Sequence, residues 1–243
     1  MTDSAILTVH ELNAWYGGAR ILYDMSLEVR PGEVVALMGR NGAGKSTTMK
    51  SIMGLVAKRQ GLVTFCHHDI SRLKSFEIAR LGLGFVPEDR RIFSDLTVME
   101  NLDIGRQPQR NLPDGRPAPV WTPETLFTLF PNLGGMPTRL GSHMSGGEQQ
   151  MLTVARTLMG NPILVLLDEP SEGVAPVIVE QMIQTIQELK KQGLSILLSE
   201  QNIHFAELVS DRAYVLEKGQ IHWHGSMQAL ADNVEIQRSF LTV

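Results

Sequence analysis

The sequence has 243 residues, of which 43% are hydrophobic and 20% charged, and its formal net charge is −4 at pH 7. This length and composition are typical of one large globular domain, or of a domain with a small appendage. They exclude the basic composition that sequence-independent nucleic-acid binding requires, so we expect no nucleic-acid partner.

Membrane-spanning and secretory segments are not predicted. The longest apolar run, Ile163 to Leu167, has the length of a strand, whereas a bilayer-spanning helix needs roughly 20 apolar residues. The first residues, MTDSAILTVHELN, contain an acid and lack a basic n-region, so we expect no signal peptide. The one cysteine, Cys66, cannot form an internal disulfide, which fits the cytosol.

Short runs rich in β-branched, aliphatic and aromatic residues, bounded by turn residues, predict strands. In chain order they lie at 6–16, 21–29, 33–39, 62–66, 83–86, 163–168, 194–200 and 212–219. Helices are predicted from Lys45 to about Met53, at 177–192 and at 203–210.

The stretch from about Asp95 to Gly160 is mostly helical in pattern, with a proline-rich loop or insertion at 105–123. The alternation of strands and helices on both sides of it predicts an α/β core that a helical segment interrupts. A short C-terminal tail is expected after residue 219.

A glycine-rich segment between a predicted strand and a predicted helix fits the phosphate-loop pattern G-x-x-x-x-G-K-[ST] in full. Glycines allow successive N–H groups to turn inward, and the helix N-terminus adds unpaired donors for phosphate. We expect Lys45 to reach the β- and γ-phosphates of ATP and Ser46 to bind Mg²⁺. The predicted nucleotide-binding residues here are Gly39, Arg40, Asn41, Gly42, Ala43, Gly44, Lys45, Ser46 and Thr47.

Two acids, Asp168 and Glu169, close the apolar strand that begins at Ile163. Open α/β sheets place their ligands at the carboxyl ends of strands. Asp168 is therefore a candidate to hold Mg²⁺, directly or through water, and Glu169 to polarise the attacking water. An apolar strand that ends in acids is weak evidence alone, and the phosphate loop makes it strong.

A third segment, Met144 to Gln150, precedes a predicted helix. Ser145 can be a simple N-cap. Alternatively, the helix start can bind a second phosphate group. One chain has no need of two such sites for one nucleotide, so the second reading requires a nucleotide held by another subunit. The candidate residues are Ser145, Gly146, Gly147 and Glu148.

Taken together, GRNGAGKST, MSGGEQQ, LLDEPS and the strand ending at Ser199-Glu200-Gln201 resemble the ordered motifs of ABC ATPases over nearly the whole chain. VPEDRRIF, LTVMENL and SEGVAP resemble the LivF-type ATPase of branched-chain amino-acid importers. The resemblance implies an α/β fold: a P-loop NTPase core with N-terminal antiparallel β strands (1–94 and 161–243) and an inserted helical subdomain (about 95–160) that carries the signature motif.

The resemblance also implies an activity and partners. Two ATPase chains, related but different, would meet head to tail and enclose Mg²⁺ and ATP. Two membrane-spanning permease subunits, and indirectly a periplasmic solute-binding protein, would complete an importer at the cytoplasmic face of the inner membrane. Alternatives are the ATPase of a urea, amide, aromatic-acid or lipopolysaccharide transporter, or a soluble ABC ATPase. A soluble ABC ATPase usually has a second ATPase cassette or long added segments in its chain.

Further site residues follow from the resemblance alone. Tyr16 stands where ABC ATPases place an aromatic ring on adenine, and the adjacent Trp15 is the alternative. Glu88 stands where many relatives have Gln, and Gln201 where many have His. Both are candidate catalytic residues, and Glu88 is also a candidate Mg²⁺ ligand. Residues 171–174 are expected to contact the opposite subunit.

Overall fold

The computed structural model describes residues 5–112 and 114–241. Its strands, in chain order, are β1 (Leu7–Tyr16), β2 (Ala19–Val29), β3 (Val34–Met38), β4 (Lys58–Phe65), β5 (His68–Asp69), β6 (Leu83–Val86), β7 (Leu164–Asp168), β8 (Ser195–Glu200), β9 (Arg212–Glu217) and β10 (Gln220–Ser226). They form a four-stranded sheet of order β2-β1-β4-β5, which is antiparallel, and a six-stranded sheet of order β10-β9-β3-β8-β7-β6.

The six-stranded sheet is parallel from β9 to β6, and β10 adds an antiparallel edge. Every residue of β3, β7 and β8 is buried, as expected for strands covered on both faces. In the register, Met38 pairs with Glu200 and Asp168 pairs with Ser199. The carboxyl ends of these three strands therefore meet at one edge of the sheet, where the candidate site lies.

The helices of the described residues are α1 (Lys45–Ile52), α2 (Ser75–Arg80), α3 (Val98–Gly105), α4 (Pro123–Leu129), α5 (Pro131–Gly134), α6 (Gly146–Leu158), α7 (Pro176–Lys191), α8 (Ile203–Val209), α9 (Met227–Ala231) and α10 (Val234–Ile236), with a 3₁₀ turn at Gly141–His143 and a π turn at Gln237–Leu241. The three helices predicted with bounds, α1, α7 and α8, start and end within about one residue of the predicted positions. Reciprocal capping boxes start α3 at Thr97 with Glu100 and α6 at Ser145 with Glu148, satisfying N–H groups that the helix itself cannot pair.

Alternate residues of β3 point to opposite faces of the sheet. Val34, Ala36 and Met38 join a hydrophobic core shared with α4, α6, α7 and α8, and Val35 and Leu37 join one shared with α1 and the antiparallel sheet. The helices between residues 95 and 160 thus pack onto the same sheet face as α7 and α8. The central strands therefore contribute side chains to both cores.

The C-terminal segment differs from the prediction of a short tail. β10 continues the large sheet, and α9 and α10 follow it. The strand alternates between exposed and half-buried residues and contains His222 and His224, so its sequence lacks the apolar run that marks a buried strand. An edge strand pairs along one side only and tolerates such polar residues. The short β5 and α2 were also not predicted. Among the described residues, no helix has the length and apolar character that a membrane span requires.

Candidate functional site

The phosphate loop, residues 39–46, connects β3 to α1 at the carboxyl edge of the sheet. Gly42 and Gly44 have φ angles of +80° and +110°, a region that glycine enters without steric cost. A Cβ on Gly39 would lie 2.6 Å from the carbonyl oxygen of Leu216, so β9 also requires glycine there. The glycine positions therefore follow from the tight path of the loop between two buried elements.

Lys45 begins α1 and is 3% exposed. Its Nζ donates hydrogen bonds to the carbonyl oxygens of Gly39 at 2.7 Å and Arg40 at 3.2 Å. It also forms an ion pair with Oε1 of Glu169 at 3.0 Å. The ammonium group thus lies inside the loop, where the predicted phosphate contacts would form, and it links the loop to the end of β7.

Asp168 is fully buried at the end of β7. Its Oδ1 accepts hydrogen bonds from the hydroxyls of Ser46 at 2.8 Å and Ser199 at 2.7 Å, while its Oδ2 is buried with no hydrogen-bond partner. Burial raises the pKa of this carboxyl, and the two serine hydroxyls oppose that shift. A hydroxyl and a carboxylate side by side form an oxygen ligand pair that fits Mg²⁺.

Glu169 follows directly and has a φ of +50°, an uncommon backbone conformation for a residue with a side chain. Its N–H donates to Oγ of Ser199 at 3.0 Å. Burial raises the pKa of the Glu169 carboxyl, and so does a hydrogen bond with Glu172, while Lys45 lowers it. Its Oε2 is buried without a partner. A buried carboxyl with a raised pKa is suited to accept a proton from water.

Gln201 lies just beyond β8, and its amide Nε2 donates to Oε2 of Glu172 at 3.4 Å. This contact joins the Gln201 loop to the segment 171–174. Two neighbours that the sequence analysis left without a role, Ser199 and Glu200, are also buried here. The signal was present, because polar residues close an apolar strand here just as Asp168 and Glu169 close β7.

Ser145 is the N-cap of α6, as its simpler interpretation predicts. Its N–H donates to Glu148 at 2.7 Å, and Glu148 donates its own N–H to the Ser145 hydroxyl at 3.3 Å. A Cβ on Gly146 would lie 2.7 Å from a guanidinium nitrogen of Arg90, and one on Gly147 would lie 2.6 Å from Ile178. Both glycines therefore allow close packing at the start of the helix.

Glu88 is exposed in the loop after β6. The pairing of Val86 with Leu167 brings this loop to the same sheet edge as Asp168. Within residues 5–112 and 114–241, no group of three or more His, Cys, Asp or Glu side chains converges as metal ligands do. Among the described residues, Glu88 therefore does not form a cluster of three acids with Asp168 and Glu169. Its role as a metal ligand stays a prediction.

The two aromatic candidates at the end of β1 differ in their surroundings. Trp15 is half-buried, with Arg20 and Lys58 at 5.7 and 5.0 Å from its ring centroid. Tyr16 is 50% exposed. Tyr16 therefore presents more free ring surface for stacking with a base, which favours it over Trp15.

The loop, the lysine, the two serine hydroxyls and the acids define a P-loop nucleotide-binding site on an α/β core. The sequence profile of the ABC transporter family matches residues 22–172. The chain is 40% identical over 236 residues to the high-affinity branched-chain amino acid transport ATP-binding protein BraG of Pseudomonas aeruginosa, covering 97% of this chain and 99% of that protein.

Two further comparisons indicate the same family. The lipopolysaccharide export system ATP-binding protein LptB of Escherichia coli K12 is 33% identical over 237 residues, or 98% of this chain and 97% of LptB. A crystal structure of the ADP conformation of an ATP-binding cassette of an ABC transporter superposes with a TM-score of 0.78 at 26% identity, over 97% of this chain and 98% of that one. The chain belongs to the ABC transporter family and is an ATP-hydrolysing, nucleotide-binding cassette. The predicted family and fold are confirmed.

Proposed function

We propose that the chain is the ATPase subunit of an importer for branched-chain or related amino acids, bound to the cytoplasmic face of the inner membrane. The observation that carries this proposal is the 40% identity to BraG along almost the full length of both chains. The same narrower resemblance includes the segment SEGVAP, and also Glu88 and Gln201, where many other ABC ATPases have Gln and His.

Within one chain, the phosphate loop holds the phosphates of ATP, and Tyr16 stacks on adenine. Ser46 and Asp168 would hold Mg²⁺, because their oxygens lie 2.8 Å apart and Oδ2 of Asp168 has no hydrogen-bond partner. The metal would supply positive charge beside the phosphates. Glu169 takes the proton of the attacking water, and Gln201 contacts the terminal phosphate. Lys45 leaves Glu169 when phosphates arrive, because phosphate carries more negative charge than one carboxylate.

The nucleotide site is completed by a second ATPase subunit, a related but different chain. In this arrangement, residues 145–148 of each chain cap the nucleotide of the other, and segment 171–174 contacts the opposite subunit. The N-terminus of α6 offers backbone donors and a partial positive charge to such a phosphate. ATP closes the pair and hydrolysis reopens it.

Residues 95–160 act as a helical subdomain that receives a cytoplasmic helix from the two membrane-spanning permease subunits. A groove of about 460 Å³ between this region and the core supports the proposal. Its rim exposes Phe76, Phe93 and Ile104, which are 51%, 46% and 53% exposed. Arg156 lies 5.0 Å from the Phe93 ring centroid. An apolar groove of this kind fits the apolar face of a helix.

A second candidate function is lipopolysaccharide export, which the 33% identity to LptB supports. The two functions are separated by an uptake assay. Cells that produce the Lys45→Ala variant in place of the wild-type protein are expected to lose uptake of labelled leucine, isoleucine or valine. Undiminished uptake of all three, with loss of lipopolysaccharide from the outer membrane, would favour the exporter.

A biochemical test separates nucleotide binding from composite-site chemistry. Lys45→Ala removes a charge from the phosphate site and is expected to weaken ATP binding to the isolated chain. Ser145→Arg is expected to leave that binding nearly intact but to block pairing and hydrolysis, because Ser145 serves the other subunit's nucleotide. Calorimetry on each chain and ATPase assays on the assembled transporter measure both effects. Equal loss of binding in the two variants contradicts the head-to-tail arrangement.

A further inference from the structure

Glu200 is the last residue of β8 and is only 1% exposed. It lies on the sheet edge that carries the phosphate loop, and its carbonyl oxygen accepts the N–H of Gly39 at 3.3 Å. Burying a carboxylate is costly unless hydrogen bonds satisfy both of its oxygens. Its contacts therefore show what holds the group there.

Each oxygen of Glu200 accepts a backbone N–H from a different loop. Oε1 accepts from Ser171 at 3.1 Å, and Oε2 accepts from Asn202 at 3.2 Å. Burial raises the pKa of this carboxyl, and these hydrogen bonds oppose the shift. Ser171 begins the segment that would face the opposite subunit, and Asn202 follows Gln201. One side chain thus spans two functional loops.

A second contact crosses the same gap closer to the surface. The amide of Gln201 donates to Glu172 at 3.4 Å, so the two loops are joined by a buried carboxylate and by an exposed amide–carboxylate pair. The buried contact holds the two loops together more strongly, because its acceptor is shielded from water and its donors are main-chain atoms. The exposed pair competes with water for the same groups.

We propose that Glu200 is a positioning residue that clamps segment 171–174 to the Gln201 loop, so that the terminal-phosphate contact and the subunit interface move as one unit. The proposal rests on the proposed function, which gives Gln201 and segment 171–174 their roles. The charged carboxylate is suited to the task because both of its oxygens accept. An amide accepts at one end only and would direct its NH₂ group at a backbone N–H.

The test compares Glu200→Gln with Glu207→Gln, the same isosteric change on an exposed residue of α8. In the assembled transporter with Mg²⁺ and ATP, Glu200→Gln is expected to lower kcat about tenfold or more and to change KM less than about threefold, since a clamp acts after nucleotide has bound. Calorimetric affinity of the full chain for ADP should stay within about threefold. Glu207→Gln should match wild type in all three measurements.

Coupling to Gln201 distinguishes a clamp from a general structural role. Residues that act as one unit give non-additive effects when both are changed. The kcat of the double variant Glu200→Gln/Gln201→Ala should therefore be no more than about twofold below that of the slower single variant. Glu200→Asp keeps two acceptor oxygens on a shorter stem and is expected to recover part of kcat. It replaces Glu200→Gln in the test if that variant does not fold.

Three results overturn the inference: a kcat of Glu200→Gln within twofold of wild type, fully multiplicative losses in the double variant, or a loss of ADP affinity equal to the loss of kcat. The proposed function is tested separately in the same preparations. If the wild-type transporter does not hydrolyse ATP, the proposed function is contradicted. If the wild type is active and Glu200→Gln has the same kcat, only the clamp is contradicted.

Discussion

Replacing Glu169 by Gln changes one oxygen of a buried carboxyl into an amide nitrogen and keeps the size of the side chain. The remaining Oε1 can still accept from Lys45, which also keeps its hydrogen bonds to the carbonyls of Gly39 and Arg40. The substitution thus removes the proposed proton acceptor but leaves the phosphate loop supported. Loss of such a base typically costs on the order of 10² to 10⁴ in rate, or about 3 to 5 kcal/mol of barrier.

The effect on stability follows from the pKa of the same carboxyl. Burial raises it despite the ion pair with Lys45 at 3.0 Å, so in the folded chain the ionised form is disfavoured. The stability linked to a raised pKa is fully present below the unfolded-state pKa and is lost as pH rises through the folded-state pKa. Gln imitates the protonated acid at every pH. The Tm of Glu169→Gln should therefore equal or exceed that of wild type, with a difference that grows with pH.

The magnitude can be bounded from general relations. A difference of one in a pKa corresponds to about 1.4 kcal/mol, and 1 kcal/mol moves the Tm of a chain of this size by roughly 2 to 4 °C. Each tenfold change in the Glu169 proton affinity thus corresponds to roughly 3 to 6 °C. The difference should vanish in acid solution, where wild type is protonated as well.

The assay combines nucleotide-free thermal unfolding between about pH 5 and 8 with ATP turnover by the assembled transporter. Glu180→Gln, the same change on an exposed residue of α7, is the matched control and should alter neither measurement. The Glu169→Gln subunit should accumulate with ATP in a closed pair with its partner ATPase chain. Wild-type turnover would refute the role of Glu169 as base. A Tm lower than wild type at pH 8 would show that the Lys45 ion pair outweighs the cost of burial.

Three further substitutions test the subfamily-specific residues Glu88 and Gln201. A carboxylate binds a hard cation more strongly than an amide, so Glu88→Gln should need more Mg²⁺ for half-maximal activity, and a Mg²⁺ titration with no shift or the reverse shift would count against Glu88 as a metal ligand. Gln201 cannot titrate, so Gln201→His should add a new ionisation to the rate between about pH 5 and 8, and Gln201→Ala should slow hydrolysis with little change in affinity. Wild-type rates and pH profiles in both variants would mean that Gln201 only packs the strand end.

The parallel core and the phosphate loop could be predicted because their sequence signals are local. β3 is a run of five buried apolar residues, and every residue of β7 before Asp168 is apolar and buried. The glycine pattern between β3 and α1 is set largely by backbone angles. β10 escaped prediction because its pairing with β9 depends on tertiary context rather than on an apolar run. The polar end of β8 marked Glu200 as a candidate, but its role could not be predicted: its partners are backbone N–H groups of two loops, and the sequence does not show which main-chain donors a side chain meets.

The acids at the sheet edge are arranged for a ligand more than for stability of the free chain. Burial raises the pKa of Asp168, Glu169 and Glu200, so each carboxyl disfavours the folded state when it ionises. The same low-polarity surroundings strengthen the attraction between a carboxylate and an arriving cation. A ligand that binds only the folded chain adds its binding free energy to stability. Mg²⁺ with nucleotide should therefore stabilise this chain more as pH rises, because Asp168 would bind metal only when it is ionised.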